Sequence, residues 1–593
     1  MIFRVALDTP LRRLFDYLPP TADGNGPTPA PGMRVRVPFG RQRLVGIIVQ
    51  VAENSEIPAD RLKPILKVLD RVPVLEQGLL ALIQWAAQYY HHPTGEVLAS
   101  ALPKALRLGS ALRATEERWA ITEPGVAAAQ REEPRRAPRQ RALLQLLAAR
   151  DAASAAVLDE EAPGWRDAAR ALVARGWIAS TEVEPDSVAA GEAVACGPAL
   201  SDGQAAAVAA VAAALGHFGA FVLHGVTGSG KTEVYLQLVE RVLAAGRRAL
   251  VLVPEIGLTP QLLNRFRERF EAPIAVLHSA LTDLERLSAW RAAFSGHARI
   301  VIGTRSAVFA PVPDLGVIIV DEEHDASYKQ HEGAFRYSAR DLAVVRAQHA
   351  GVPVLLGSAT PALETLHNVK SGRYTVLTLG RRAEQAAAPL LKLLDLRSSA
   401  LRSGLSTQAV LAIERHLKDE GQVLVFLNRR GYAPTLLCTA CGWIAPCQEC
   451  DARLTVHLGA GRLRCHHCGA DQALPERCPV CGFAVKPVGQ GTERIEETLG
   501  MLFAGVPIAR LDRDVVRRRG DLEEVVARMA SGAARILVGT QMVTKGHDFP
   551  NITLVVVLNA DQGLFSSDFR APERLAQTIV QVAGRAGRAH KPG

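Results

Sequence analysis

"AFVLHGVTGSGKTEVYLQLVERVLAAG", residues 220–246, decides the fold class. An apolar, strand-like run leads into GVTGSGKT (225–232), which fits the pattern G-x-x-x-x-G-K-T, and a helical run follows. Such a loop holds phosphates because its glycines let successive backbone N–H groups converge, and the helix N-terminus favours the negative charge. Gly225, Val226, Thr227, Gly228, Ser229 and Gly230 form the expected cradle for ATP. Lys231 is expected to reach the β- and γ-phosphates, and the Thr232 hydroxyl to ligate Mg²⁺.

Further along, "VIIVDEEH" (317–324) ends an apolar strand in carboxylates. Asp321 suits Mg²⁺, held through water, and Glu322 suits orienting or deprotonating the attacking water. Strand-like runs alternate with helical ones from Leu200 to about residue 385, the signature of a parallel sheet with crossover helices. The pattern returns at "QVLVFLN" (422–428), "RILVGTQ" (535–541) and "ITLVVVLNAD" (552–561). Two α/β layers are expected, the second carrying an insertion.

The insertion holds eight of the nine cysteines, all as C-x-x-C pairs between Cys438 and Cys481. Four knuckles pair in three ways into two Cys₄ sites. Spacers of five, fourteen and nine residues separate them, and the fourteen-residue spacer alternates like a hairpin around "GAG". A zinc-ribbon geometry therefore joins Cys447, Cys450, Cys465 and Cys468 in an inner site. Cys438, Cys441, Cys478 and Cys481 are left to an outer one. Closed thiolate shells make both zinc ions structural. They would supply folding energy that so short a segment cannot draw from a core. His457, His466 and His467 are not needed as ligands, and Cys196, alone in the stretch 181–197, has no assigned role. The module's five Lys/Arg and four Asp/Glu, with eight thiolates and two Zn²⁺, leave it net negative, so it is unsuited to gripping phosphates by bulk charge.

Composition agrees with a multidomain globular chain: 593 residues, 48% hydrophobic, net charge +9. A basic balance favours an acidic partner, nucleic acid first. The N-terminus does not read as a signal peptide, and no segment offers the ~20 strongly apolar residues of a membrane span. A cytoplasmic protein is expected, in which paired thiols bind metal.

The ordered stretches "PEIGLTPQ" (254–261), "GTRSA" (303–307), "DEEH" (321–324), "GSATP" (357–361), "LNRRG" (427–431), "GTQMVTKGHDF" (539–549) and "QVAGRAGR" (581–588) resemble the motifs of superfamily 2 helicases. That resemblance implies two facing RecA-like domains. It also makes Arg585 and Arg588, read at helical i, i+3 spacing, arginine fingers. Gln204 would read adenine, as helicase Q-motifs do. "FDYL" (15–18), "VRVPFG" (35–40), "YYHHPTGEVL" (89–98), "DEEHDASYKQHEGAFRY" (321–337), "FLNRRGYAP" (426–434) and "RLDRD" (510–514) are similar to the PriA family of bacterial replication-restart helicases across essentially the whole chain.

Membership would imply an ATP-dependent 3′→5′ DNA helicase that recognises abandoned forks and starts primosome assembly. Its partners would be other primosome proteins, a replicative helicase loader and single-stranded-DNA-binding protein. Phe15, Asp16, Tyr17, Gly40 and Lys63 would form the pocket for a 3′ DNA end. Tyr328, Lys329, Phe335, Arg336 and Tyr337 would form a DNA-sensing loop of stacking aromatics and phosphate-holding cations. The alternative is that the aromatics of both sets pack into cores. Arg135, Arg136 and Arg139 are candidate duplex contacts.

The expected organisation is a β-rich 3′-end-binding domain (1–105), a winged-helix domain (106–180), a linker (181–199) and a first RecA-like domain (200–385). The second RecA-like domain follows (386–437 and 483–593), split by the Cys-rich insertion (438–482). The resemblance implies that the family continues past the arginine-finger motif into a C-terminal DNA-binding domain, so that a fragment or an unusually short member is expected here. Two rival readings are a duplex translocase that remodels protein–DNA complexes and a non-catalytic scaffold that loads the replicative helicase.

Overall fold

The computed structural model describes the chain outside residues 21–26, 113–115, 151, 163, 184–196, 227, 256–259, 334, 381–388, 398–400, 403, 428–434, 439, 452, 458–460, 466–467, 489–491, 513–520, 541–542, 544–548, 550, 566–567 and 588–592. It divides into two compact units. One is Met1–Gly191 with Ala275–Arg299 and Phe309–Pro313; the other is Glu192–Ile274 with Ile300–Val308 and Asp314–Gly593. Among the described residues no helix is long and apolar enough to cross a membrane.

In the first unit, period-two alternation builds a six-stranded sheet in the order Lys63–Pro64, Phe15–Leu18, Ile2–Leu7, Gln42–Ala52, Arg34–Phe39, Lys67–Val68. The hairpin expected around residues 34–51 pairs antiparallel from Arg34↔Ile47 to Phe39↔Gln42. Phe3, Val5, Leu7, Val35, Val37 and Ile48 fill its core. Arg34 is fully buried there. Its guanidinium meets Asp70 at 2.6 Å and 3.0 Å and donates through Nη1 to Leu106 O and Ser110 O. A buried charge is tolerable only when so completely partnered, and the arrangement fastens the sheet to the helix Lys104–Arg107.

Next in the chain, a three-stranded antiparallel sheet (Ala152–Ser154, Glu116–Ile121, Ile178–Val183) is accompanied by four helices, Glu123–Gln130, Pro138–Arg150, Ala155–Glu161 and Trp165–Ala174. They pack around Leu143, Leu147, Leu158, Trp165 and Leu172. The helix Asp283–Phe294 falls within residues read as the first α/β layer, yet it belongs to this unit. Arg291 on it donates to Ala111 O at 2.7 Å and Leu112 O at 3.2 Å.

The second unit holds both α/β layers. Six strands of the first run parallel in the order Ile300–Gly303, Arg248–Leu252, Leu315–Asp321, Pro353–Ser358, Gly219–Gly225, Thr375–Leu379. Continuous Val/Ile/Leu runs suit strands covered on both faces. In the second layer Ile508–Leu511, Ile536–Gly539, Gln422–Leu427 and Ile552–Leu558 are likewise parallel. Separate cores lie on its two faces, one around Phe426, Leu511 and Phe549, the other around Ile413, Val425 and Leu499.

The Cys-rich stretch forms its own five-stranded sheet in the order Asp471–Ala473, Arg462–Arg464, Thr455–His457, Thr435–Leu437, Lys486–Val488. The hairpin around "GAG" pairs Thr455↔Arg464 and Val456↔Leu463. Its incoming and outgoing strands lie side by side, antiparallel, with Leu436 opposite Pro487.

Candidate functional site

Strand Gly219–Gly225 ends in the phosphate-binding loop, and helix Lys231–Ala244 leaves it. Gly228 and Gly230 have φ of +83° and +79°, the left-handed region that only glycine enters without strain. Lys231 Nζ donates to Gly225 O at 3.1 Å, folding over the loop it would serve. Thr232 is half-buried beside it, and Thr227 lies outside the described residues.

Gln204, expected to read adenine, is bonded in this structure to its own helix cap and to the phosphate-binding loop. Its Oε1 accepts from Ser201 N, closing a capping box at the start of helix Asp202–Ala212. Its Nε2 donates to Ser229 O at 3.2 Å and Gly230 O at 3.4 Å. Both ends of the amide are thereby engaged, Oε1 in the helix cap and Nε2 in bracing the loop.

Asp321 ends its strand next to Gly357 of the neighbouring one. Burial, and then the adjacent Glu322, push its carboxyl up to about 6, while Lys231 and a hydrogen bond from Tyr235 pull the other way. The Tyr235 hydroxyl donates to Asp321 Oδ1 at 2.8 Å. Glu322 turns the chain at φ +46°, a left-handed conformation that costs a residue with a side chain about 1 kcal/mol or more. Glu323 is buried and structural: it accepts from Ala362 N (2.7 Å), Thr365 Oγ1 (2.9 Å) and Arg340 (3.3 Å).

His324 joins the two layers. One ring nitrogen is 2.8 Å from Ser358 Oγ in "GSATP", and the other is 2.6 Å from Gln581 Nε2 in "QVAGRAGR". Gln577 Nε2 adds a bond to Thr360 O (3.3 Å), Leu363 N donates to Glu573 (3.0 Å), and Arg570 pairs with Glu364.

Arg585 is buried in the second layer. The helical i, i+3 reading of Arg585 and Arg588 does not hold. Helix Ala571–Ala583 stops before Gly584, and Gly587 is left-handed at φ +68°. Two glycines of low helix propensity end the helix there. Arg588 is outside the described residues, as are 428–431 of "LNRRG", 541–542 and 544–548 of "GTQMVTKGHDF", and 513–514 of "RLDRD".

The aromatics proposed to sense DNA are in the core. Tyr328 is buried and donates to Asp321 O (2.6 Å) and Leu252 O (3.0 Å). Phe335 and Tyr337 are buried and stacked on each other at 4.8 Å. Base stacking by these three rings is therefore unavailable in this structure. Lys329 and Arg336 between them are exposed. Arg305 of "GTRSA" shapes this turn by donating to Ser327 O and Lys329 O.

At the N-terminal sheet, Tyr17 is likewise core, its hydroxyl donating to Pro38 O at 3.0 Å, and burial pushes its pKa up to about 12. Half-buried Phe15 meets Phe39 edge-on at 5.1 Å. Strand alternation turns Asp16 to the opposite face, where it accepts from Ser55 Oγ at 2.6 Å and neighbours Arg4. Lys63 is exposed on the adjoining strand in register with Tyr17, and exposed Gly40 has φ +58°. Phe15 with Lys63 and Asp16 thus lie on one strand pair but not on one face.

The eight thiols gather into two quartets, Cys438/Cys441/Cys478/Cys481 and Cys447/Cys450/Cys465/Cys468. Sγ–Sγ separations of 3.5–3.6 Å occur in each. Zn–S bonds of about 2.3 Å in a tetrahedron require sulfurs about 3.8 Å apart, so both quartets fit the ion. Three knuckles share one build. Gly442, Gly469 and Gly482 take left-handed φ after the second cysteine and donate to the carbonyl of the first. Backbone N–H groups also point at sulfurs, as a thiolate needs: Glu449 and Val480 N donate at 3.4 Å and Cys468 N at 3.5 Å. The second knuckle has Asp451 in place of the glycine. The His457 side chain, His466, His467 and Cys196 are outside the described residues.

Sequence-family models match four segments. These are a 3'DNA-binding domain (3'BD) at residues 4–103, a DEAD/DEAH box helicase at 201–369, a PriA DNA helicase Cys-rich region (CRR) domain at 447–472 and a helicase conserved C-terminal domain at 488–590. The replication restart protein PriA of Haemophilus influenzae is 46% identical over all of this chain and 81% of its own length. That of Bacillus subtilis is 36% identical over 98% of this chain and 81% of its own. Among solved structures, RecG bound to a three-way DNA junction matches 66% of this chain and 42% of its own at 17% identity, with a TM-score of 0.38.

Proposed function

Because the chain belongs to the PriA family of replication restart proteins, we propose that it recognises branched DNA with a 3′ end and unwinds it 3′→5′ using ATP and Mg²⁺. It is an ATP-dependent DNA helicase of replication restart, built on two RecA-like layers, a 3′ DNA-binding domain and a zinc-binding Cys-rich module. Within that frame Lys231 and the loop amides bind the phosphates, and Thr232 and Asp321 hold Mg²⁺. The bound metal would supply neutralisation of charge on the transferred phosphoryl group. Glu322 orients water and takes up its proton, and Arg585 and Arg588 offset negative charge from the second layer.

Two zinc ions, one per quartet, hold the module rigid. Phe15, Asp16, Tyr17, Gly40 and Lys63 are offered as the 3′-end pocket. Given the burial of Tyr17, Phe15 and the polar groups would have to make its contacts. Residues 1–105, 106–180, 181–199, 200–385, 386–437, 438–482 and 483–593 are assigned as the domains in chain order. Primosome proteins, a helicase loader and single-stranded-DNA-binding protein are the proposed partners, in the cytoplasm.

The observation that carries this reading is His324, one ring bonded to both layers, which ties the second layer to the acidic strand end of the first. The test is ATP hydrolysis measured with single-stranded, duplex and forked DNA, the last with and without a free 3′-hydroxyl at the branch. Greatest stimulation by the fork with the free hydroxyl is expected. Equal stimulation by all four would remove the fork-recognition part of the proposal.

A further inference from the structure

Tyr235 sits one turn into the helix that follows the phosphate-binding loop, four residues after Lys231. Its neighbours Val234, Leu238 and Val239 fill the layer's core with hydrocarbon alone. Tyr235 is equally buried but carries a hydroxyl inward, and that hydroxyl donates to Asp321 Oδ1 at 2.8 Å. Packing does not require it, since a phenylalanine ring would fill the same core with no polar group to satisfy.

The surroundings are fitted to that oxygen. Gly357 stands directly beside Asp321 in the sheet. A Cβ at Gly357 would lie 1.7 Å from the Tyr235 hydroxyl oxygen and 2.8 Å from the ring carbon bearing it. Any larger residue would expel the hydroxyl. The loop helix, the acidic strand end and "GSATP" therefore meet at one oxygen atom.

We infer that Tyr235 is a positioning residue for Asp321: its hydroxyl fixes the carboxylate in the orientation that serves the Mg²⁺–nucleotide. A carboxylate at a strand end has two soft torsions, and a charge-assisted hydrogen bond from a side chain that cannot itself move removes that freedom. The inference rests on the ATP-hydrolysing reading of the site and adds to it a buried residue that acts through Asp321.

The test is binding of a fluorescent, non-hydrolysable ATP analogue to the full chain, titrated with Mg²⁺. Tyr235→Phe should leave affinity in excess EDTA unchanged and raise the Mg²⁺ concentration for half-maximal tightening by about tenfold, as for loss of one charge-assisted hydrogen bond. Gly357→Ala keeps the tyrosine but crowds its hydroxyl away, so it serves as the second variant and should shift the Mg²⁺ requirement in the same direction. In an Asp321→Asn background, adding Tyr235→Phe should change nothing further. An unshifted Mg²⁺ requirement in the single variants, equal loss of affinity with and without Mg²⁺, or an additive double variant would overturn the inference. A wild-type chain that binds no nucleotide would instead defeat the ATP reading itself.

Discussion

Burial pushes the Asp321 carboxyl up to about 6, and Glu322 beside it adds to the shift. A proton therefore competes with Mg²⁺ there: as pH falls through about 6 the carboxyl protonates, and a metal ion must displace that proton to bind. The Mg²⁺ requirement for nucleotide binding should be flat above that pH and climb below it; a flat profile throughout would contradict the assignment of Asp321. Lys231→Ala should lower DNA-stimulated phosphate release by about two orders of magnitude or more, the scale of losing a preorganised charge at a reacting centre. DNA binding should persist. The phosphate loop and the acidic strand end were legible in the sequence because each is a local pattern with strict chemistry. Gln204, Tyr235 and Tyr328 were not. Each acts through a bond to a residue at least 7 positions away, and in the case of Tyr235 86 away, which no local pattern encodes.

The zinc module illustrates what spacing alone can carry at the level of elements. Four C-x-x-C pairs and an alternating fourteen-residue spacer led to a nested pairing, and the structure draws the thiols together in those same groups. The knuckle turn is short, so its glycine and its sulfur-directed amides are local features. Replacing Cys447 and Cys450 by Ser should remove one of two zinc ions per chain, read by elemental analysis, and should depress strand separation more than ATP hydrolysis. Equal loss of both activities would argue against a separate coupling role. Helix ends were less legible. "QVAGRAGR" looks helical by spacing, but its glycines end the helix before Arg585. Tyr328, Phe335 and Tyr337 stand in a stretch rich in polar residues, yet their rings turn inward, Tyr328 to Asp321 O and the other two to each other.

For the molecule as a whole, three bonds between the layers among the described residues come from one helix, Ala571–Ala583, through Glu573, Gln577 and Gln581, and Arg570 at its N-cap adds the pair with Glu364. Gln581→Ala removes the bond of His324 to the second layer and leaves the one to Ser358. It should reduce DNA stimulation of ATP hydrolysis by about tenfold while basal nucleotide affinity stays put, the size expected for one buried hydrogen bond. In the first unit, Arg34→Ala would strand Asp70 without its counter-charge. A loss of about 3–5 kcal/mol in stability, measured by urea unfolding, is expected for breaking a buried ion pair.

The Cys-rich module leaves the second layer and returns to it along two strands that face one another at Leu436 and Pro487. Its ends are thus a single backbone width apart, about 5 Å between Cα atoms of an antiparallel pair. A segment tethered that way is a cassette: a two-residue turn can bridge the stump after excision, and a foreign knuckle domain of similar footprint can be spliced into the same gap.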